Sequence, residues 1–216
     1  MQSAPIVTAP PPHGTGRIPP MDAITPLPPV SGLVLAGGRG LRMGGADKGL
    51  VDFRGRPMVA SVLERFAPQV AELMISANRN LDAYARFGHP VFADDMADFA
   101  GPLAGLKAGL ARARHELVAT VPCDAPLLPP DLVARLLAAL LREDAEIAVA
   151  TAGGRSHPVF CLCRRALLPA LADYLAAGGR KVDAWQRSRR RVEVAFDDAA
   201  EAFANLNSPA DLPPAG

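Results

Sequence analysis

The sequence predicts an α/β fold built on a mostly parallel sheet with helices on both faces. Three observations predict it. Short apolar runs alternate with segments of helical spacing along the chain. The first of those runs are uniformly apolar, as strands buried on both faces must be. The chain has 216 residues, 50% of them hydrophobic, which suffices for one sizeable core and hardly for two.

The folded part begins at Val30. Nine of the 22 prolines fall in residues 1–29, which carry no periodic apolar pattern and a single arginine, Arg17. This segment reads as a polyproline-rich, disordered tail. It lacks the basic start and apolar core of a signal peptide, so the cytoplasm is the expected compartment. Residues 30–216 are expected to form one domain.

Residues 32–36 (GLVLA) read as a first buried strand. Residues 57–67 have helical spacing through Val59, Val62, Leu63 and Phe66, with Pro57 suited to the first turn. A second strand is expected over 73–76, a short helix over 81–87 and a third strand over 90–92. A helix over 102–113 and a fourth strand over 117–121 follow. Residues 131–141 read as a helix with Asp131 as its cap. Strands are expected over 147–151 and 159–163, then a helix over 165–176 ended by Gly178-Gly179. A last strand spans 191–196, and no internal repeat is visible.

Composition excludes several functions. The charge balance is 23 Lys+Arg against 22 Asp+Glu, or +1, which argues against a bulk polyanion binder. Aromatics are 5% of residues, too few for base-stacking platforms. No stretch approaches ~18 uninterrupted apolar residues, so no membrane-spanning helix is expected. Cys123, Cys161 and Cys163 form no second pair at metal-ligand spacing, and read as buried reduced thiols.

In a parallel α/β sheet ligands bind beyond the carboxyl ends of the strands, so the loops there are informative. Residues 35–49 read LAGGRGLRMGGADKG. Five glycines between positions 37 and 45 leave backbone N–H groups free to face an anion, and Arg39, Arg42 and Lys48 add positive charge. This is the chemistry of a polyphosphate cradle. It is not the dinucleotide fingerprint, which counted from Gly38 would need glycine at Met43. Nor is it the Walker pattern, since Lys48 sits between Asp47 and Gly49.

That loop closely resembles the signature of the nucleotidyltransferases that activate sugars and cofactors. Within them it is most similar to the molybdenum cofactor guanylyltransferase family. The three parts of the family pattern are present as Leu35-Ala36-Gly37-Gly38, Arg42-Met43-Gly44 and Asp47-Lys48. The related cytidylyltransferases typically have Leu-Ala-Ala-Gly, from which Gly37 departs. The resemblance runs from about residue 32 to residue 211. It implies a single-domain, Rossmann-like nucleotidyltransferase fold, with GTP on the N-terminal half and molybdopterin on the C-terminal half. The implied reaction moves GMP from GTP to molybdopterin or Mo-molybdopterin and releases pyrophosphate, with Mg²⁺ as cofactor. Implied protein partners are molybdenum-insertion proteins and apo-molybdoenzymes or their chaperones.

The resemblance also assigns residues. Arg42, Lys48 and Asp124 are the expected catalytic set. Leu35, Ala36, Gly37, Gly38, Lys48, Asn78, Asp94, Gly101, Pro102 and Asp124 are expected to bind GTP. Asp124 follows a buried strand, where a hard carboxylate suits Mg²⁺ bound to phosphates. Asp-x-Pro is also ordinary turn chemistry, and position alone weighs the two evenly. Asn78-Arg79 matches the family's Asn-x-Asn-Arg, but its first Asn is replaced by Ser76, which has shorter reach. His157-Pro158 and the Asn205 and Asn207 of Asn-Leu-Asn-Ser-Pro match family motifs on the molybdopterin side. The run Arg187, Arg189, Arg190 and Arg191 is open between a solvated face and an attractor of the anionic cofactor. A CTP-dependent enzyme, a different phosphorylated acceptor, or a non-catalytic carrier are the competing readings.

Overall fold

The computed structural model describes residues 27–36, 47–96 and 101–203. Strand β1 (Val30–Leu35) sits inside a seven-stranded sheet and is buried along nearly its whole length. It is flanked by parallel partners, β4 (Glu72–Ser76) and β6 (Leu117–Pro122). This is why its residues 32–35 are all apolar rather than alternating, while the buried Ser31 hydroxyl donates to the Glu72 carboxylate. Outside β4 lies β5 (Val91–Phe92), also parallel. Beyond β6 come β8 (Arg155–Arg164), β7 (Ile147–Ala152) and β9 (Arg191–Ala195). Four of the six pairings are parallel; β8 is antiparallel to both β6 and β7.

Helices cover both faces, as expected. One core gathers α1 (Met58–Phe66), α2 (Leu81–Ala85) and α4 (Leu132–Arg142) over Val34, Ile75 and Val121. The other gathers α3 (Pro102–Arg112), α5 (Leu168–Ala176) and α6 (Val182–Arg187) over Leu33, Met74 and Val118. The alternation of Leu33 and Val34 between the two cores is the period-2 geometry of a strand. The helix α5 ends where expected: Gly178 takes φ +86°, and the Gly178 and Gly179 N–H groups donate to Leu175 and Tyr174 carbonyls.

Several features depart from the sequence reading; β8, for one, starts at Arg155 instead of 159 and so takes in His157 and Pro158. A hairpin of β2 (Asp52–Phe53) and β3 (Arg56–Pro57) precedes α1, turned by Arg54 and Gly55, both at positive φ. Pro57 therefore ends a strand, and α1 starts at Met58. Asp131 stands at the start of α4 but makes no side-chain cap; it pairs instead with Arg135 one turn on, at 3.6 Å. Helix α6 was not foreseen. Its six residues bury only Trp185 and Gln186, too short a stripe to show a period.

Candidate active site

The carboxyl ends of β1, β4 and β6 open onto one cleft. Its walls are Leu35, Ala36, Asp47, Lys48, Ser76, Asp94, Gly101, Pro102, Gly105, Pro122, Cys123, Asp124 and Val159. Backbone hydrogen bonds continue the sheet into the loops: the Ala36 N–H donates to the Ser76 carbonyl at 2.8 Å, and Cys123 N–H to the Leu35 carbonyl at 3.1 Å. The strand ends thus set where the loop residues stand, as the parallel topology requires.

Lys48 and Asp124 meet there. The Lys48 ammonium donates to Asp124 Oδ2 at 3.2 Å, with both side chains partly buried. Lys48 starts a short turn, Lys48–Leu50, that Asp47 caps through its side chain. Asp47 Oδ1 accepts from the Gly49 N–H at 3.3 Å and from the Tyr84 hydroxyl at 2.6 Å, and Oδ2 accepts from the Asn80 amide at 3.0 Å.

Asp94 is held by Asn78. The Asn78 amide donates to Asp94 Oδ2 at 2.6 Å, and the Asp94 N–H donates back to Asn78 Oδ1 at 3.0 Å. Asn78 therefore shapes the cleft through Asp94, which lines it. The neighbouring Asp95 faces away from this role: it is exposed and paired with Lys107, whose ammonium holds its carboxyl below the usual range.

Gly101, at φ +82°, hands the chain to Pro102 at the start of α3, so the N-terminus of an eleven-residue helix opens on the cleft. Glycine at 105 lets α3 approach closely. A Cβ there would lie 2.9 Å from Ser76 Oγ and 2.8 Å from Leu35 Cδ2. Ser76 is 3% exposed beneath that contact. This small residue thus sits against a helix with no room to spare.

Cys123, beside Asp124, is buried, and burial pushes its thiol well above the usual range. Cys161 and Cys163 are likewise buried free thiols.

His157 and Pro158 are not among the residues that line this cleft, although the next residue, Val159, is. The His157 ring packs on Phe203 at 4.9 Å and edge-on to Phe160 at 6.1 Å. Burial lowers its pKa, opposed by a hydrogen bond to the Ala152 backbone. The Pro158 carbonyl accepts from the buried Gln186 amide at 2.8 Å. Within the arginine run, Arg187 and Arg191 share Asp183, Arg191 also pairs with Glu193, Arg190 pairs with Asp144, and the buried Arg189 Nε has no hydrogen-bond partner among the described residues. Arg42, Gly37, Gly38, Asn205 and Asn207 lie outside the described residues. Sequence reasoning missed Tyr84, Asn80 and Val159. Tyr84 and Asn80 reach Asp47 across 37 and 33 residues, and no local spacing signals such contacts.

Comparisons with known proteins give the family and the fold. A family model described as MobA-like NTP transferase domain matches residues 32–192. A molybdenum cofactor guanylyltransferase of Bordetella petrii is 54% identical over 187 residues, covering 85% of this chain and 95% of its own length. One from Ralstonia nicotianae is 51% identical over 196 residues, covering 87% and 96%. Among solved structures, molybdopterin-guanine dinucleotide biosynthesis protein A from Archaeoglobus fulgidus matches with a TM-score of 0.70 at 20% identity, over 84% of this chain and 94% of that one. A CMP:2-keto-3-deoxy-manno-octonic acid synthetase complexed with CTP matches with a TM-score of 0.64 at 18% identity, over 84% and 94%. At such identities the structures speak for the fold alone.

Proposed function

The chain belongs to the MobA-like NTP transferase domain family, and we propose that Lys48 and Asp124 are the centre of its activity as a molybdenum cofactor guanylyltransferase. It transfers GMP from GTP to the molybdopterin cofactor, forming the guanine dinucleotide. An oxygen of the acceptor's terminal phosphate bonds to the α-phosphorus of GTP. The bond from that phosphorus to the β-bridging oxygen breaks, and pyrophosphate leaves. A phosphate monoester is largely dianionic at neutral pH, with its second pKa near ~6, so the nucleophile needs no general base. The protein's task is to align two anions and offset their charge.

The observation that supports this reading most is the Lys48–Asp124 pair at 3.2 Å, formed by two loops of the same cleft. Each offsets the charge of the other. With nucleotide present, Lys48 turns to the phosphate oxygens, and Arg42 joins it from the glycine-rich loop. Asp124 is then free to hold Mg²⁺. Among the described residues no three potential ligands gather into a metal site. That fits Mg²⁺, which is commonly held by one or two carboxylates, substrate phosphates and water. When bound, Mg²⁺ offsets charge on the phosphates and the leaving group.

GTP binding is assigned to Leu35, Ala36, Gly37, Gly38, Lys48, Asp94, Gly101, Pro102 and Asp124, with Asn78 contributing through Asp94. Molybdopterin is assigned to the side of His157, Pro158, Asn205 and Asn207. Molybdenum-insertion proteins and apo-molybdoenzymes or their chaperones are the protein partners this chemistry calls for. The cytoplasm, where nucleoside triphosphates are abundant, is the compartment we assign; among the described residues no helix is long and apolar enough to cross a membrane.

Incubation with molybdopterin-bearing cofactor, Mg²⁺ and each nucleoside triphosphate in turn, followed by mass analysis, tests the reading. A guanine dinucleotide with GTP alone is expected. Equal product from CTP overturns the nucleotide assignment, and product without added divalent cation overturns the Mg²⁺ requirement.

A further inference from the structure

We infer that Tyr84 is a positioning residue for Lys48, acting through Asp47. Tyr84 stands on α2, has no exposed surface, and points its hydroxyl at the cleft-side loop. That hydroxyl donates to Asp47 Oδ1 at 2.6 Å. Asn80, at the start of the same helix and in the left-handed region (φ 54°), donates to the other oxygen at 3.0 Å. Helix α2 therefore grips both oxygens of one carboxylate. A carboxylate at a polyphosphate site is unfavourable unless its lone pairs are engaged. Here the engagement also anchors the loop.

The anchor lies one residue from the cation. Asp47 caps the turn that begins with Lys48, and the Leu50 N–H donates to the Asp47 carbonyl at 3.0 Å. The turn is packed directly on the tyrosine: a Cβ on Gly49 would lie 2.4 Å from the Tyr84 hydroxyl and 3.1 Å from Cys123 Cβ. The lysine backbone is thus fixed from below by Tyr84, from the side by Asn80 and from within by Asp47. Burial keeps the phenol protonated, so it remains a donor throughout. Catalysis by charge placement depends on such fixing, since a cation held loosely loses its advantage over solvent. The inference rests on the assignment of Lys48 to the nucleotide phosphates.

A double-mutant cycle on the full chain tests it, with pyrophosphate release as the readout and thermal melting as the control. Tyr84→Phe keeps the ring and removes only the hydroxyl. It should lower kcat/KM for GTP about tenfold, the scale of one hydrogen bond to a charged group, and leave KM for the acceptor unchanged. In a Lys48→Ala background the same change should have no further effect. Asn80→Gly keeps the backbone free to adopt positive φ, removes the amide, and should behave alike in the same cycle. Equal loss in both backgrounds overturns the inference, because a merely structural tyrosine would act on either. Unchanged kinetics of Tyr84→Phe and Asn80→Gly beside a damaged Lys48→Ala overturn it while sparing the assignment of the site. Full turnover by Lys48→Ala overturns both.

Discussion

Lys48 and Asp124 lie 76 residues apart in sequence, yet the Lys48 ammonium donates to the Asp124 carboxylate at 3.2 Å in the cleft where β1 and β6 end. The pair is partly solvated, so its contribution to folding is small, on the order of 0–1 kcal/mol. Its members are expected to matter for turnover instead. Lys48→Ala should cost about 3 kcal/mol of transition-state stabilisation, or ~10²-fold in rate. Asp124→Ala should cost more, and raised Mg²⁺ should partly restore it but not Lys48→Ala. Pyrophosphate release against Mg²⁺ concentration, with circular dichroism for folding, reads both. Near-normal turnover of Asp124→Ala would contradict the metal assignment.

Helix α3 rests on β1 through Gly109. A Cβ there would come within 2.4 Å of Leu33 Cδ2, on a side chain with no exposed surface to retreat into. Gly109→Ala should therefore overpack the core by about 1–3 kcal/mol, offset in part by the ~1 kcal/mol that alanine adds to a helix. The net expectation is a loss of roughly 1 kcal/mol, a fall of about 2–4 °C in Tm. A rise in Tm would mean that Leu33 repacks without strain.

His157 supplies a pH test. Its pKa is lowered from 6.5 by burial, against a hydrogen bond to the Ala152 backbone. Below pH 6.5 the unfolded chain takes up a proton at this site more readily than the folded one, so stability falls as the pH drops. The loss levels off once the pH is below the folded pKa, where both states are protonated. In His157→Gln this component should vanish. Melting curves of the two proteins between pH 7.5 and about 5 are the comparison, and parallel curves would show that the ring titrates as if exposed.

Deleting residues 1–29 should leave Tm and turnover nearly unchanged. Leu27, Pro28 and Pro29 are exposed, and sheet pairing starts at Val30, whose carbonyl accepts from the Ala71 N–H at 2.8 Å. A drop of several degrees on deletion would show that the proline-rich segment packs on the domain.

The alternation of strands and helices is legible in the sequence, and the glycine- and cation-rich loop after the first strand is legible as a candidate site; Asp124 stands out only through the family resemblance. The first two signals are local: burial on two faces writes an apolar run, and a candidate anion cradle writes glycines and cations close together. The elements that escaped notice carry too little local signal, as in the two-residue strands β2 and β3 and the short α6. What the tertiary structure alone decided is which distant groups meet. Strand order brings Lys48 to Asp124, turns Asn78 onto Asp94, and stacks His157 on Phe203. It also places Tyr84, a residue with the look of an ordinary core aromatic, under the turn that carries Lys48. Such contacts depend on crossover paths and on closeness between backbones, here permitted by Gly49, Gly105 and Gly109, and neither quantity is written in the spacing of a single segment.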